Sequence, residues 1–508
     1  MPAIHQKTNV VAFYGRHRLR RYSLLLLAII VVLAVYRVTI LSVQRSFDTD
    51  EFEHIQDAWL ISQGFSIYRD FFEHHPPLLY LFLAPLFAFF DESEALFIAR
   101  MSMVPFAVGI LAMTYLIAAK IRGRLAGIIA GALLSTLVVF QQKSIEIRPD
   151  VPAVFFLLLA FYCSFTSKPG PLHLAGAGMA YGVALLCTPK LVFTLPAFAA
   201  VMTHAEHKSV LHWRACKWMT AGFLLPLGLV AAYLYLHDTL EQAVFFNVSF
   251  NMAVPFTYHW DTLYETVGPS FTENWFLWCL ALFSVAASTA RAMRKIRKSG
   301  TRWQNESIIT CASMGVGLGL FMIPVPSPQY LMSLGVVLSI LVGIYGAGVV
   351  CALMKLCPST PSCVLMLALI TGIFLHPVPT LLRARLASNG PQLRALRYEW
   401  ESVPADECVF DCWAGAGVFR RPAFFYHFLG PDIMLTLERL DQRILRDFLL
   451  KTLKEKRPLA ITNDQMLHAL PDNVNDYINA NYHADRYGLL LLRNASEKDR
   501  VGAAAAVP

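Results

Sequence analysis

Long, uninterrupted apolar stretches constrain this chain more than any other feature of its sequence. Several of them approach 20 residues, the length at which an α-helix crosses about 30 Å of hydrocarbon. Only 15% of the 508 residues are charged, whereas about a quarter are charged in an ordinary soluble protein. The sequence therefore predicts an α-helical polytopic membrane protein, and it excludes soluble globular, disordered and fibrous classes.

The distribution of charge predicts how the helices are oriented. Basic residues cluster in short segments between the apolar stretches, at 17–21, at 120–124 and most densely at 291–302. Such clusters normally stay on the cytoplasmic side of a membrane. Because they do not form a basic stripe interleaved with aromatic residues, the net charge of +8 does not indicate nucleic-acid binding. We expect the N-terminus to be cytoplasmic.

The same rule decides which apolar segments span the membrane. If 120–124 and 291–302 are cytoplasmic, an odd number of spans precedes residue 120. Segment 78–90 has only 13 residues, a length more typical of an interfacial or re-entrant segment, so 95–119 is the predicted span. About eleven transmembrane helices result, which places the C-terminus on the outer side. The predicted spans are 22–42, 95–119, 125–142, 151–166, 172–187, 191–204, 218–237, 274–290, 307–324, 331–354 and 364–382.

The composition changes after about residue 389, where long apolar runs give way to a mixed, charged sequence. Short apolar runs and helical periodicity there predict a small soluble α/β domain. The predicted domains are a cytoplasmic N-terminus at 1–21, a transmembrane domain at 22–388 and a C-terminal domain at 389–508 on the outer side of the membrane. Predicted strands in the last domain are 408–413, 459–462 and 489–492, and its predicted helices are 433–456, 464–470 and 474–480.

Residues 43–77, called loop one from here on, form the most informative segment. Loop one holds seven carboxylates against two arginines. Asp48 is a suitable N-cap and Gly64 a suitable stop, so a helix is expected between them, lying flat on the membrane with its acids toward water. Helix capping explains part of this acidity. It does not explain a second cluster at the mouth of the next apolar segment, which contains Arg69, Glu73, His74 and His75.

Two further polar clusters are predicted to reach the same membrane face. Glu146, Arg148 and Asp150 lie between the third and fourth spans, and Lys190 lies between two short spans. Structural explanations exist here too, because Asp150 can begin a helix and a lysine can extend to the interface. Together, however, these groups supply a base for an acceptor hydroxyl and cations for a phosphate leaving group, as sugar transfer from a lipid phosphate requires.

At these residues the chain resembles the GT-C membrane glycosyltransferases, in particular the bacterial branch related to protein O-mannosyltransferases and the lipid A aminoarabinose transferase. The resemblance covers roughly 20–355 and implies a GT-C-like fold in the bacterial inner membrane. It also implies inverting transfer of a sugar from a polyprenyl-phosphate donor to a lipid, glycan or protein acceptor on the periplasmic face. The matching motifs are Asp50-Glu51, His-Pro-Pro-Leu at 75–78, Arg148-Pro-Asp150, Lys190 and Pro326-Ser-Pro-Gln-Tyr330.

The resemblance also implies roles for individual residues. Asp50 corresponds to the catalytic base, assisted by Glu51, and Asp150 corresponds to the acid of the second outer loop. The donor phosphate is expected to be bound by Arg148, Lys190, His74 and His75, and His75 stands where the aminoarabinose transferase has a lysine. Further substrate contacts are expected from Arg69, Glu73, Glu146, Gln329 and Tyr330. No cofactor or metal-ligand set is predicted, although oligosaccharyltransferases of this fold class use a divalent ion, so metal dependence stays open.

Three alternatives to this function remain at the level of the sequence. An oligosaccharyltransferase or polymer ligase would share the fold and use a larger donor. A transporter or flippase would carry its charges near the membrane midplane, whereas here they cluster at helix ends. A non-catalytic assembly subunit would tolerate amide replacement of its loop-one acids.

Overall fold

The computed structural model describes most of the chain. The described residues are 32–33, 35–165, 170–202, 209–256, 260–299, 305–325, 327–356, 388–413, 415, 417–485 and 488–493. The predicted span 364–382 and most of the predicted span 22–42 lie outside these residues. Residues 35–44, at the end of the first predicted span, are helical.

Helices make up nearly all of the described chain before residue 357. Their bounds are Thr49–Ser62, Leu78–Leu83, Glu92–Arg122, Arg124–Thr136, Val138–Lys143, Asp150–Ser164, Pro171–Cys187, Leu195–Met202, Ser209–Leu236, Leu240–Val244, Asn251–Ala253, Trp260–Glu273, Trp275–Ser299, Asn305–Met322 and Pro328–Leu356. Ala84–Ala88 and Pro189–Thr194 are 3₁₀ turns, and Phe245–Phe250 is a π-helical turn. The predicted helical class is confirmed.

Four helices in the described ranges are long and apolar enough to cross a membrane. These helices are Glu92–Arg122, Trp213–Leu236, Trp275–Arg294 and Pro328–Ala352. Shorter apolar helices, among them Asp150–Ser164 and Pro171–Cys187, lie beside them. The short segment Leu78–Ala88 matches the expectation of an interfacial or re-entrant piece in length. The number of about eleven spans stays a prediction.

The predicted span 125–142 is wrong as a single helix. It breaks at Leu137, whose extended backbone separates Arg124–Thr136 from Val138–Lys143. Asn274 from another helix compensates for the break, because its Oδ1 accepts from Val138 N at 2.9 Å and its Nδ2 donates to Thr136 O at 3.0 Å. The side chain thus satisfies backbone groups that the interruption leaves without helical partners.

One helix pair crosses at very short range. A Cβ atom added to Gly178, in Pro171–Cys187, would lie 2.0 Å from Met219 O of Ser209–Leu236. A Cβ atom at Gly222 of the second helix would lie 2.0 Å from Ala175 O of the first. Small residues at such crossings let two backbones approach closely. Only glycine fits at these two positions.

The two ends of the helices differ in charge. At one end, Arg122 and Arg291 both lie 3.3 Å from the carboxylate of Glu306. Arg122 and Arg291, one from each predicted basic cluster, therefore lie at the same end of the molecule, as the orientation argument requires. Arg100 lies 22 residues before Arg122 on the same helix, or about 33 Å away at 1.5 Å per residue. Loop one lies at this second end.

The C-terminal domain contains a five-stranded sheet. The strands are β1 Cys408–Phe410, β2 Arg421–Pro422, β3 Ala460–Ile461, β4 Tyr482–Ala484 and β5 Leu490–Leu492. Their order across the sheet is β2-β1-β3-β5-β4. β1 pairs in parallel with β2 and β3, whereas β5 pairs antiparallel with β3 and β4. The helices are Gly390–Ser402, Pro431–Leu440, Leu449–Lys456 and Asp472–Asn481. A small α/β domain is thus confirmed, and its exact boundaries stay predictions.

The predicted helix 433–456 is wrong as a continuous element. It stops at Leu440, and Asp441 is extended, with φ −159°. The Asp441 carboxylate accepts from the backbone N–H and from the guanidinium of Arg443, at 3.0 and 2.7 Å. Such local side-chain bonds compete with the helix. A π-helical turn at Ile444–Phe448 then leads into the next helix. The predicted helix 464–470 is only a 3₁₀ turn, Leu467–Ala469.

The C-terminal domain is bonded directly to loop one. Gln56 Nε2 donates to Arg420 O at 2.7 Å, and Phe72 N donates to Phe425 O at 3.0 Å. Gly415, with φ +76°, allows its loop to approach Phe52 so closely that a Cβ atom would lie 2.3 Å from the ring. Loop one is therefore enclosed between the helices and the C-terminal domain.

Candidate active site

The loop-one helix begins where the sequence predicts. Asp48 is its N-cap, Asp48 N donates to Glu51 Oε2 at 2.9 Å, and Asp50 N donates to Asp48 Oδ1 at 3.3 Å. The helix ends at Ser62, and Gly64 has φ +87°. The expectation that its acids face water is wrong, because the side chains of Glu51 and Asp57 are fully buried. The C-terminal domain and the helices cover them.

Glu51 is held by a buried arginine. Arg100 Nε donates to Glu51 Oε1 at 2.8 Å, and Arg100 Nη2 pairs with Glu51 Oε2. Arg100 also donates to the carbonyls of Arg45, at 2.6 Å, and Ser46, at 3.0 Å. Ile147 N donates to Glu51 Oε1 at 3.0 Å. One carboxylate thus ties together loop one, helix Glu92–Arg122 and the segment before Asp150.

Arg148 joins loop one to the second outer segment. Its Nη2 lies 2.7 Å from Asp50 Oδ2 and 2.9 Å from Asp48 Oδ1, and its Nε lies 2.7 Å from Glu146 Oε2. Arg148 is nearly buried. The structure therefore brings together two segments that are about 100 positions apart in the sequence, as the predicted common face requires.

Two further cations balance this cluster. Lys143 Nζ lies 2.9 Å from both Asp48 Oδ2 and Glu146 Oε2, and Arg45 Nη1 lies 2.9 Å from Glu146 Oε1. Burial would raise the pKa of Asp48, but the charges of Arg148 and Lys143 hold it well below its usual range. Three carboxylates, those of Asp48, Asp50 and Glu146, thus face three cations. Among them, Asp50 makes a single ion pair in the described part of the chain.

Lys190 lies beside the late helix that the sequence singles out. Its Nζ donates to the hydroxyl of Tyr330 at 2.7 Å and lies 4.1 Å from the centre of that ring. No carboxylate of a described residue lies within 4 Å of Lys190. Asp150 begins helix Asp150–Ser164, and its charge acts on both Arg148 and Lys190. Gln329 is nearly buried and accepts a hydrogen bond from the Ser327 hydroxyl.

Glu73 organises the two histidines before the prolines. Its Oε1 accepts from His74 N at 2.6 Å, from His75 N at 2.7 Å and from His75 Nδ1 at 2.7 Å. Burial and the neighbouring charge of His75 lower the pKa of His74 to about 3, so His74 is neutral at physiological pH. His75 is the histidine whose ring is bonded to a carboxylate.

The C-terminal domain also brings a carboxyl group to this region. Asp432 lies in the first turn of Pro431–Leu440. Burial raises its pKa, and the charges of Asp50 and His75 act on it as well. The sequence analysis does not single out Asp432 or Lys143. It also misses His427, whose Nε2 lies 2.9 Å from Asp57 Oδ1. No local pattern marks these residues, because their partners are distant in the chain.

Arg69 is not part of the cluster. It pairs with Asp70 at 3.0 Å and donates to Ser66 Oγ at 2.8 Å. Its Nη1 also approaches His237 O at 3.5 Å. Within the described ranges, none of its contacts involves Asp50, Arg148 or Lys190. The structure therefore does not bring Arg69 together with the other predicted site residues.

One group of side chains has the donor atoms that a divalent ion would need. Among the described residues, Glu73, His74 and His75 are the one group of potential ligands, with their atoms within 4.8 Å of one another. Glu73 Oε1 accepts three N–H donors, whereas Glu73 Oε2 and His74 Nδ1 are buried and have no N–H or O–H donor among the described residues. These residues would hold a bound ion, which would supply positive charge at this position. The carboxylates of Asp48 and Asp50 are neutralised by cations. We derive no step through a metal.

Comparison with known proteins supports the resemblance seen in the sequence. Residues 74–236 match the model of a family described as dolichyl-phosphate-mannose-protein mannosyltransferase. No curated protein matches the chain in sequence.

Solved structures share its fold over nearly the whole chain. ArnT from Cupriavidus metallidurans bound to undecaprenyl phosphate is 12% identical with a TM-score of 0.57, covering 94% of this chain and 98% of that chain. The apo state of the same ArnT is 12% identical with a TM-score of 0.58, covering 97% of this chain and 100% of that chain. The Archaeoglobus fulgidus oligosaccharyltransferase AglB, in complex with an inhibitory peptide and a dolichol-phosphate, is 12% identical with a TM-score of 0.55. The match covers 94% of this chain and 75% of that chain.

These findings confirm the predicted class. The fold is that of the GT-C glycosyltransferases, and the family match falls on the segment that carries His75, Arg148 and Lys190. Together the fold and the family match support a membrane glycosyltransferase of the GT-C type.

Proposed function

We propose that this enzyme transfers a sugar from a polyprenyl-phosphate donor to the hydroxyl of a lipid, glycan or protein acceptor at the loop-one end of its helices. The contact between Asp50 Oδ2 and Arg148 Nη2, at 2.7 Å, carries this proposal. This contact places Asp50, the candidate base of loop one, next to the segment that carries Arg148. The bound undecaprenyl phosphate of ArnT and the dolichol-phosphate of AglB support the choice of donor.

In the proposed reaction, Asp50 accepts the proton of the acceptor hydroxyl. The hydroxyl oxygen attacks the anomeric carbon of the donor sugar, and the bond from that carbon to the phosphate oxygen breaks. Polyprenyl phosphate leaves with the bonding electron pair, and the anomeric configuration inverts. A phosphate is a weakly basic leaving group, so cations can stabilise it without a strong general acid.

The two predicted phosphate-binding cations receive different roles in this proposal. Arg148 is already surrounded by three carboxylates, so it positions Asp50. Lys190 donates to a neutral hydroxyl, which leaves its charge for the departing phosphate. His75, whose ring Nδ1–H is fixed by Glu73, is the second candidate phosphate ligand.

Glu51 acts as a positioning residue in this proposal. Both of its oxygens are occupied by Arg100 and by backbone N–H groups beneath the site. The charge of Asp150 acts on both Arg148 and Lys190. We therefore assign Asp150 to the donor side of the site. Glu146 balances Arg148 and Lys143 and is not free to contact a substrate.

We further propose that this end of the molecule faces the bacterial periplasm, with the enzyme in the inner membrane. Arg122 and Arg291 lie at the opposite end, and clustered basic residues favour the cytoplasmic side. The C-terminal domain is bonded to loop one through Gln56. It is therefore expected on the periplasmic side together with the site.

The variant Asp50→Asn tests the proposal. It removes the base and keeps the side-chain shape, so in proteoliposomes supplied with donor and acceptor we expect transfer to fall about 10²- to 10⁴-fold. Binding of polyprenyl phosphate should persist. Asp70→Asn is the matched control, because Asp70 is a loop-one acid paired with Arg69 away from the site, and it should keep the wild-type rate. A near-normal rate for Asp50→Asn would remove Asp50 from the mechanism.

The size of the glycan on the donor lipid distinguishes the proposed enzyme from the main alternative. An oligosaccharyltransferase or polymer ligase of this fold would use a larger lipid-linked glycan, so parallel assays with single sugars and oligosaccharides on the lipid separate the two. Transport is disfavoured by the position of the charges. Asp48, Arg148 and Lys143 cluster at the loop-one end of the helices, where Arg100 pairs with Glu51. Arg100 is about 33 Å from Arg122 by helix rise.

A further inference from the structure

The end of the helices opposite loop one carries a second charged cluster. Glu306 Oε1 lies 3.3 Å from Arg122 Nη1, and Glu306 Oε2 lies 3.3 Å from Arg291 Nη1. The Tyr345 hydroxyl donates to Glu306 Oε2 at 3.4 Å, and the Arg291 guanidinium lies 5.3 Å from the centre of the Tyr345 ring. Gly348 leaves room for Arg122, because a Cβ atom there would lie 3.3 Å from Arg122 Nη2. These five residues, called the Glu306 cluster, come from four different helices.

The positive charge of this cluster exceeds its negative charge. Among the described residues, Glu306 is the one carboxylate within 4 Å of Arg122 or Arg291. Segments 120–124 and 291–302 hold three and six basic residues, and neither segment contains Asp or Glu. The side chains of Arg122 and Arg291 are 35% and 48% exposed, whereas that of Glu306 is 15% exposed. The cluster therefore presents net positive charge on its outer side.

The two guanidinium groups have N–H donors left for a ligand. Each guanidinium contains five N–H groups, and in the described part of the chain Arg122 and Arg291 each direct one hydrogen bond to Glu306. Planar guanidinium groups bind phosphate oxygens through pairs of parallel hydrogen bonds. Glu306 holds both groups in place but can neutralise only one of them. This arrangement fits a phosphate group that contacts Arg122 and Arg291.

Apolar surface continues from the cluster along the same helices. Phe283 lies eight residues before Arg291, and Met314 lies eight residues after Glu306, on the i, i+4, i+8 rows of their helices. Phe283 and Met314 are 62% and 54% exposed. Helix Trp275–Arg294 is long and apolar enough to cross a membrane, so exposed apolar side chains on it contact lipid chains. A basic site between membrane helices, next to such a surface, is typical of a site for a phospholipid headgroup.

We propose that the Glu306 cluster binds the headgroup of an anionic phospholipid, of which phosphatidylglycerol is a simple example. The lipid phosphate contacts Arg122 and Arg291, and the acyl chains lie along Phe283 and Met314. The bound lipid joins the ends of helices that come from distant parts of the chain and thereby stabilises their packing. This proposal does not rest on the proposed glycosyl transfer, and its tests measure binding and stability.

Native mass spectrometry of the full-length protein in non-ionic detergent tests the site. When phosphatidylglycerol is added, the wild type should retain one molecule that phosphatidylcholine does not displace. Arg122→Gln and Arg291→Gln should each weaken its binding about fivefold, the contribution of one basic residue near an anionic lipid headgroup. Arg443→Gln is the matched control, because it removes an exposed arginine that pairs with one acid, Asp441, in the C-terminal domain. Unchanged binding in the first two variants, or equal weakening in all three, would overturn the proposal.

A substitution of Glu306 gives a test of the opposite sign. Glu306→Gln removes the anion that competes with the lipid phosphate, so it should strengthen binding about fivefold although it breaks both ion pairs. A variant that merely disturbed the packing of the helices would weaken binding instead. Arg122→Lys keeps the charge and should bind phosphatidylglycerol within about threefold of the wild type. Weaker binding in Glu306→Gln would contradict the assignment.

Thermal unfolding distinguishes a lipid headgroup from a free anion. A ligand that binds the folded protein alone raises its melting temperature as the ligand concentration rises. Phosphatidylglycerol should therefore stabilise the wild type more than Arg122→Gln or Arg291→Gln, whereas phosphatidylcholine and inorganic phosphate should have little effect. Equal stabilisation by inorganic phosphate would show a site for a free anion and would overturn the lipid assignment. A transfer assay that fails with every donor leaves all of these results unchanged.

Discussion

The pair of Arg100 and Glu51 gives the sharpest test of how the site is built. Arg100 is fully buried, and it donates to Glu51 and to the carbonyls of loop-one residues. In Arg100→Met these carbonyls lose their donor, and the Glu51 carboxylate is left buried without its counter-ion. We therefore predict a large loss of folding free energy, even though neither residue touches substrate in the proposed mechanism.

The size of the effect follows from the burial of both partners. Removing one member of a buried ion pair costs about 3–5 kcal/mol, mostly because the other charge remains uncompensated. Such a loss is a fifth or more of the roughly 5–15 kcal/mol that stabilises a typical protein. Glu51→Gln should cost a similar amount, because it leaves Arg100 as the unpaired charge.

A double-mutant cycle in detergent micelles separates pairing from other effects. Unfolding of wild type, Arg100→Met, Glu51→Gln and the double variant would be followed in denaturant. The double variant removes both charges at once, and the amide oxygen can still accept from one of the two backbone donors, Asp48 N or Ile147 N. It should therefore lose about as much as either single variant, which gives a coupling energy of about 3 kcal/mol. Additive losses, or a loss below about 1 kcal/mol for Arg100→Met, would refute the reasoning.

Three further predictions follow from other contacts. Lys190→Ala should raise the donor KM about 10- to 100-fold, because it loses a charged hydrogen bond. Tyr330→Phe keeps the lysine charge and should change the donor KM much less. Equal changes of KM for the two variants in steady-state kinetics would contradict the role assigned to Lys190. Gly178→Leu should destabilise the fold by about 3 kcal/mol, because its Cβ would lie 2.0 Å from a backbone oxygen; Gly176→Leu, with nothing within 4 Å, should be tolerated, and melting temperatures that do not separate the two would contradict this. Burial lowers the pKa of His427 from 6.5 to about 4. Between these two pH values the unfolded chain binds a proton there that the folded chain does not. The free energy of unfolding should therefore decrease by up to about 1.4 kcal/mol for each pH unit as the pH is lowered from 6.5 to 4. Unfolding measurements on His427→Gln should show a smaller pH slope in that range, and an unchanged slope would contradict the assignment.

Local signals predict the start of the site well. The N-cap at Asp48 and the stop near Gly64 are encoded within a few residues, and the loop-one helix occupies that range. The exposure of its acids is not predictable in this way. Whether Glu51 and Asp57 face water depends on Arg100 and His427, which lie 49 and 370 positions away.

Tertiary contacts also decide where predicted elements break. The interruption at Leu137 is stabilised by Asn274, 136 positions after Val138, and no feature of the apolar run 125–142 reports this partner. In the C-terminal domain, the two-residue strand Arg421–Pro422 is too short to produce an alternating pattern. Strands of this length exist because a neighbouring strand is present to pair with them.

The hydrogen bonds of Gln56 have a consequence for how the enzyme matures. They join loop one to a segment 364 positions later in the chain. At about 5–20 residues per second, a ribosome needs roughly 20–70 s to make that stretch. During this interval loop one exists without the domain that will enclose it, so the acids that this domain later covers are not yet covered by it. Chemical competence therefore arises late in biogenesis, when the C-terminal domain docks, and an interrupted product would insert into the bilayer without becoming a working enzyme.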